Sequence, residues 1–441
     1  MQTTITQAGP ADYELDLSAP AGELAPRLDA ALRKQRGRVQ LRGFRPGKAP
    51  VDLVRKMYGQ SLAYEIAETL VQEAFDREVA GNPSYRLIGR PALTRMDYDG
   101  TGDLAATIRF GVRPEITLAP LAGTKLTRLA HEVTDVEIEA EIERLRTRLA
   151  TEEPAPEGHA LAPTDAATID LRPLDAETNL PLAEGGEQDA AIILDDPNLQ
   201  TPLRDALIGK TAGSTFRVEL GHDDAHGEHE GAHTHAFEVT VKQARTRTVP
   251  EADDAFATRI SKERFHAMDD LRADIRRDVE ASWEKRQRDY LESQFIETLV
   301  GQNPVPVPQS AVDLFLDSFV ASVAERSEGK LPEDFDEAGF RENSRDEAER
   351  QARWMLIRDA LVERYALTVE TEDLDGYFAT QATEGIEPAF LRKFYEASPR
   401  VMEQLEQRLL SEKLFARLAD EVAFEDRSFE DVQADLTARR G

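Results

Sequence analysis

The stretch Gly43-Phe44-Arg45-Pro46-Gly47-Lys48-Ala49-Pro50 restricts this chain more than any other. Two glycines and two prolines within eight residues forbid a helix or a central strand there. Arg45 and Ala49 each precede a proline and are pushed towards extended backbone. The chain must therefore turn at this point on a stiffened frame that holds Phe44, Arg45 and Lys48 outward. An aromatic flanked by cations at a loop tip suits contact: the cations match phosphate or carboxylate, the ring an apolar crevice or a base. The alternative is a plain helix–helix connection whose Phe44 folds back into the core.

Charge sharpens the choice. From Arg33 to Lys56, nine cations (Arg33, Lys34, Arg36, Arg38, Arg42, Arg45, Lys48, Arg55, Lys56) stand against one anion, Asp52, a local +8 on a chain of net charge −30. The net charge excludes a general binder of free nucleic acid, because phosphate would be repelled. The basic island points to one localised anionic partner, or else is a solvated helix face. At 441 residues the chain needs two to four domains. It has no cysteine, hence no disulfide scaffold, thiol nucleophile or thiolate metal site, which suits a reducing cytoplasm. Met1 to Pro10 has neither a basic start nor an apolar run, so no signal peptide is expected. No apolar stretch approaches the ~20 residues of a membrane span, so no membrane partner is expected. Without a Gly-rich phosphate loop, no nucleotide or other cofactor is implied.

Thr3 to Leu17 alternates and reads as a strand, and Leu24, Leu28, Ala31 and Leu32 recur at helical spacing to about Arg36. Beyond the loop, Val51 to Ala80 is a second helix with Leu53, Val54, Met57, Leu62, Ile66, Leu70, Val71 and Phe75 on its apolar side. Tyr85 to Asp97 and Asp103 to Val112 are two strands, completing an α+β region. Leu118 to His131 is a mostly extended connector. Thr134 with Glu137 forms a capping box ahead of the stripe Val136, Ile138, Ile142, Leu145 and Leu149. Thr151 to Pro163 reads as a linker. Short alternating runs at 167–171, 190–194, 215–220 and 236–241, with a short helix near Leu203 to Ile208, make a small β-rich domain. From Pro250 the chain is almost all helix, led by Met268 to Val300. Pro/Gly breaks, one at Asn303 to Pro308 and one over Leu331 to Phe340, split the rest into arms, and the polar tail from Glu425 frays.

The turn, read as Gly43-Phe44-Arg45-x-Gly47-x-x-Pro50, resembles the ribosome-docking signature of the bacterial trigger factor family, matching every fixed position. The resemblance continues through Met57-Tyr58-Gly59 and Asn303-Pro304-Val305-Pro306-Val307-Pro308 to the helix around Glu412-Lys413. It implies an α+β multidomain fold. Residues 1–115 would be an α+β ribosome-binding domain, and 116–153 a connector with the first helix of the C-terminal body. Residues 154–246 would be an inserted β-rich FKBP-like domain, and 247–441 an all-α C-terminal domain with extended helical arms. It implies an ATP-independent chaperone that docks at the ribosomal exit tunnel through Gly43, Phe44, Arg45, Pro46, Gly47, Lys48 and Pro50. Its partners are nascent and unfolded polypeptides, and a homodimer off the ribosome stays open. The family is also linked to protein export and cell division.

An FKBP-type prolyl isomerase works through an aromatic-lined pocket that favours the twisted amide and lowers a barrier of ~18–20 kcal/mol. Here Leu171 stands where the first strand of that pocket carries Phe. Leu199, Thr201 and Leu203 replace Ile-Pro-Gly, and only Phe237 matches. The resemblance therefore makes Leu171, Leu199, Leu203 and Phe237 the pocket lining of a weak isomerase. The neighbouring loop carries five of the eight histidines, His222, His226, His229, His233 and His235, with interleaved acids. These are nickel or zinc ligands by type but not by spacing, and the loop is otherwise a solvated flap, so no metal is assigned. Client contacts fall to aromatics set among acids on the C-terminal helices: Phe315, Phe319, Tyr377, Phe378, Phe390 and Phe394. Two readings compete with the chaperone: a chain that is chiefly a prolyl isomerase, and an acidic helical scaffold without ribosome affinity.

Overall fold

The computed structural model describes residues 1–40, 44, 48–175, 178–182, 185–222, 233–327, 329–382 and 386–440. Two units are distinguished, Met1–Ala130 with Gln287–Gly441, and His131–Arg286.

The first strand expected from the sequence is a hairpin, β1 (Gln2–Gln7) and β2 (Asp12–Ala19). Gly9 and Pro10 break the run, and the amides of Ala8 and Gly9 both donate to the Asp12 carbonyl at 2.9 and 3.0 Å. Helices α1 (Ala21–Arg38) and α2 (Val51–Phe75) follow, then β3 (Leu87–Asp97) and β4 (Leu104–Val112). The four strands form one antiparallel sheet in the order β1-β2-β4-β3. Period-two alternation puts Leu15, Leu17 and Ala19 of β2 on the face shared with Leu104, Ala106, Ile108 and Phe110 of β4. Ala63, Ala67, Leu70, Val71, Ala74 and Phe75 of α2 share that core. A π-turn over Asp76–Ala80 ends the second helix and buries Val79. Met57, expected on its apolar side, is 54 % exposed. Strand β5 (Lys125–Leu129) lies within the expected connector.

The other unit begins with α3 (Asp135–Arg148), capped as expected: the Thr134 hydroxyl accepts from the Glu137 amide, and the Glu137 carboxylate accepts from the Thr134 amide. Then come β6 (Thr151–Pro154), β7 (Ala166–Pro173), β8 (Glu187–Ile193), α4 (Thr201–Leu207), β9 (Thr215–His222), β10 (His233–Thr248) and α5 (Asp254–Ile260). The sixteen-residue β10 pairs with β6, β7 and β9, and β8 with β7. The expected linker thus starts as an edge strand. All four β6 residues are exposed, so no apolar period marks it. On either side of this β-rich domain the chain is helical, and the two flanks share a core. Ile138 and Ile142 of α3 cluster with Phe256 and Ala257 of α5 and with Met268, Leu271 and Ile275, which open α6 (Met268–Gln302). The β-rich domain is therefore an insertion between helices that pack together.

Beyond α6 lie α7 (Gln309–Arg326), α8 (Glu337–Asn343), α9 (Arg345–Tyr365), α10 (Thr371–Gln381), α11 (Pro388–Glu396) and α12 (Pro399–Ala419). The expected break at Leu331 to Phe340 already contains the start of α8, capped by Asp336, whose carboxylate accepts from the Gly339 amide at 3.0 Å. The tail differs from expectation as well. It forms β11 (Ala423–Arg427) and α13 (Phe429–Arg440). β11 pairs in parallel with β5, reinforced by the Arg128–Asp426 ion pair at 2.6 Å. Among the described residues, no helix is long and apolar enough to cross a membrane.

Candidate functional site

At the turn, α1 and α2 pack around Leu32, Ala49 and Val54, with Leu28, Val51, Tyr58 and Leu62 alongside. Ala49 anchors the end of the loop in this small core, and Pro50 precedes α2, its carbonyl accepting from the Leu53 and Val54 amides. Phe44 stays outside that core, 40 % exposed, and Lys48 is exposed. The fold-back alternative for Phe44 is therefore not what the chain adopts. Gly43, Arg45, Pro46 and Gly47 lie outside the described residues. Of the island's cations, Arg55 pairs with Asp29 at 2.6 Å. Arg33, Lys34, Arg36, Arg38, Lys48 and Lys56 make no ion pair among the described residues. Met57, missed as a surface residue, adds exposed apolar area beside Lys56; its cationic neighbours were the available signal.

The helical aromatics separate by exposure. In the group formed by α10, α11 and α12, Phe378 is 1 % exposed and packs with Leu374, Leu405 and Leu409. Against expectation it is core and presents no surface to a client. Tyr377, the next residue on the helix, is half-buried. Its hydroxyl lies 3.4 Å from that of Tyr395, a contact that pushes the Tyr377 phenol above its ordinary range. Lys413 ties α12 to α10 through Asp373 at 2.6 Å and holds that carboxyl below the usual carboxylate range. On α11, Phe390 and Phe394 are one turn apart and 65 % and 64 % exposed, with exposed Ile386 just before the helix. The sequence reading passed over Ile386. Phe315 and Phe319 are half-buried against Val312, Leu316 and Ala348, while Leu314, also passed over, is exposed.

In the β-rich domain, Leu171, Leu199, Leu203 and Phe237 all belong to one apolar cluster. Register places Leu171 opposite Val239 and Phe237 opposite Pro173, so β7 and β10 present them on one face. Leu203 is buried, and the other three are half-buried. The Arg204 guanidinium donates to the carbonyls of Leu194, Asp196 and Leu199 at 2.9, 2.6 and 3.4 Å, pinning the loop that carries Leu199. Among the histidines, His226 and His229 lie outside the described residues. Backbone register sets His233 opposite His222, and His235 is exposed. The described residues contain no cluster of three or more metal-ligating side chains.

Solvent-facing Phe390 and Phe394 on a charged helix, with exposed Phe44 beside cations elsewhere in the chain, suit a protein of the chaperone class. Comparison with known proteins agrees. The family described as bacterial trigger factor protein (TF) matches residues 1–145, and that described as bacterial trigger factor protein (TF) C-terminus matches residues 267–420. A trigger factor of Salinibacter ruber is 40 % identical over 98 % of this chain and 96 % of its own length. One of Chlorobium chlorochromatii is 29 % identical over 96 % of this chain and 97 % of its own. A solved structure of the trigger factor chaperone is similar with a TM-score of 0.47 and 19 % identity, covering 96 % of this chain and 100 % of that one. The chain belongs to the trigger factor family.

Proposed function

We propose that this chaperone docks at the ribosomal exit tunnel through its Gly43–Pro50 turn and holds emerging polypeptides without nucleotide. The observation that carries the docking is Phe44, exposed between two helices, where the cations Arg33, Lys34, Arg36, Arg38, Lys48 and Lys56 make no ion pair among the described residues. An exposed ring beside spare positive charge suits a protein–RNA surface of opposite charge. Ribosome co-sedimentation tests it, and separates this reading from an acidic scaffold without ribosome affinity. The division into residues 1–115, 116–153, 154–246 and 247–441 belongs to the same proposal.

Holding needs apolar area that stays exposed on a soluble frame, and Phe390 and Phe394 supply it. A large side chain covered by a client contributes roughly 1.5–3 kcal/mol, so a few contacts give reversible, micromolar holding after association costs. Phe390→Ser with Phe394→Ser is expected to weaken suppression of client aggregation about tenfold. Both rings being exposed, helicity by circular dichroism is expected to stay unchanged. Undiminished suppression would move the client surface off α11.

For the β-rich domain we infer at most weak prolyl isomerase activity. Three of the four lining residues are aliphatic, Leu203 is core, and the Arg204 hydrogen bonds tie down the adjoining loop. Such a site offers little aromatic surface to a twisted X–Pro amide. Catalysis of a proline-limited refolding reaction is expected to be marginal, and to rise with Leu171→Phe. A parent rate matching that of aromatic-lined isomerases would refute this reading.

A further inference from the structure

Without a cysteine, this chain offers an oxidant only its six methionine sulfurs. Five of them are covered. Met268 is buried in the core shared by α3, α5 and α6. Met1 and Met96 pack against the core of the N-terminal sheet, and Met402 against that of α10, α11 and α12. Met355 is half-buried on α9. Met57 alone is open to solvent, 54 % exposed. It belongs to neither of the two cores that α2 builds. Val51, Val54, Tyr58 and Leu62 turn towards α1, and Ala63, Ala67 and Leu70 towards the sheet. Half-buried Leu53 lies one turn before Met57 on the same face. Lys56, exposed and without an ion pair among the described residues, flanks this apolar strip. Met57 lies about 10 Å along α2 from Pro50, at a rise of ~1.5 Å per residue. A protein interface covers about 800 Å² on each partner, so one built on the Gly43–Pro50 turn reaches this strip.

We propose that Met57 is a modification site, oxidised by hydrogen peroxide to the sulfoxide, and that this oxidation weakens docking. The thioether sulfur attacks one peroxide oxygen. An S–O bond forms as the O–O bond breaks, and sulfur gives up two electrons. The proton on the attacked oxygen passes to the departing hydroxide, which leaves as water. The product is polar where the thioether was apolar. Burying it against a partner then requires stripping water from the new oxygen, which the thioether never held. A methionine sulfoxide reductase returns the thioether, so the change is reversible. The five covered sulfurs keep the cores out of the reaction while the helix beside the turn responds. This regulation rests on the ribosome docking proposed above.

Full-length protein is treated with hydrogen peroxide under native conditions, quenched with catalase and mapped by peptide mass spectrometry. Met57 is expected to oxidise about tenfold faster than any other methionine. Co-sedimentation of the treated protein with untreated ribosomes is expected to show about fivefold lower affinity, restored by methionine sulfoxide reductase. Met57→Gln, which imitates the polar product, is expected to show the same loss without peroxide. Met57→Leu, whatever its own starting affinity, is expected to bind equally before and after treatment. Gln and Leu are both good helix formers and the position is exposed, so circular dichroism is expected to match the parent. Faster oxidation of another methionine overturns the proposal. So does unchanged affinity once Met57 is fully oxidised, or a Met57→Leu variant still sensitive to peroxide. Phe44→Ala with Arg45→Ala tells the two failures apart. If that variant loses affinity while oxidation of Met57 changes nothing, docking stands and its regulation falls. If the double variant binds like its parent, both fall.

Discussion

Phe44→Ala combined with Arg45→Ala is expected to lower ribosome affinity at least tenfold without changing the melting profile. Aromatic and arginine anchors at protein interfaces lose ~2 kcal/mol or more on truncation, and ~1.4 kcal/mol is already a factor of ten. The fold should be indifferent, because Phe44 is exposed while the turn is anchored by Ala49 against Leu32 and Val54. The +8 island adds a salt-dependent attraction. Raising ionic strength should therefore weaken both parent and double variant, the variant somewhat less steeply because it lacks one of the nine cations, so that their ratio narrows as salt rises. Co-sedimentation with ribosomes across a salt series measures both quantities. Equal affinity of variant and parent would end the docking proposal.

The second large effect concerns the seat of α7 on the N-terminal sheet. The Ser310 hydroxyl donates to the Ile88 carbonyl at 2.6 Å, and the Gln309 amide to the Asp12 carboxylate at 2.9 Å. This approach is possible because β3 and β4 carry glycine where α7 arrives. Gly89 has φ +69°, and a Cβ there would lie 2.2 Å from the Ser310 carbonyl oxygen. A Cβ at Gly111 would lie 2.2 Å from the Ser310 hydroxyl oxygen and 2.6 Å from Pro308 Cβ. Gly89→Ala therefore adds left-handed strain of roughly 1–2 kcal/mol to an overlap with backbone that costs a further ~1–3 kcal/mol. The expected loss is about 3 kcal/mol, read as an earlier thermal transition and faster proteolysis between β4 and α7. Gly376→Ala is the control. It lies inside α10 with nothing within 4 Å of the added carbon and should be neutral or slightly stabilising. Gly89→Ala as stable as its parent would mean the seat is not tight.

Local signals carried much of this architecture. The Gly/Pro turn, the Thr134–Glu137 capping box, the long α6 stripe and the alternating runs of the β-rich domain each arise from chemistry within a few residues. They placed the helices and most strands, and they singled out the turn whose Phe44 lies on the surface. Side-chain facing was less legible. Tyr377 and Phe378 are adjacent aromatics on one helix, and the packing of α11 and α12 against α10 makes Phe378 core.

What the sequence alone determined here is what short-range sterics and periodicity dictate: where the chain turns, where helices are capped, and the membership of the trigger factor family that its turn motif carries. What only the tertiary structure decided depends on partners far away in the chain. β5 becomes a strand because β11, from the other end of the chain, pairs with it, and the same pairing orders a tail too polar to show any apolar period. Gly89 and Gly111 are ordinary strand residues until α7 arrives and leaves no room for a Cβ. Such contacts leave no local periodic trace, because each is set by the shape and charge of an element that folds elsewhere in the sequence.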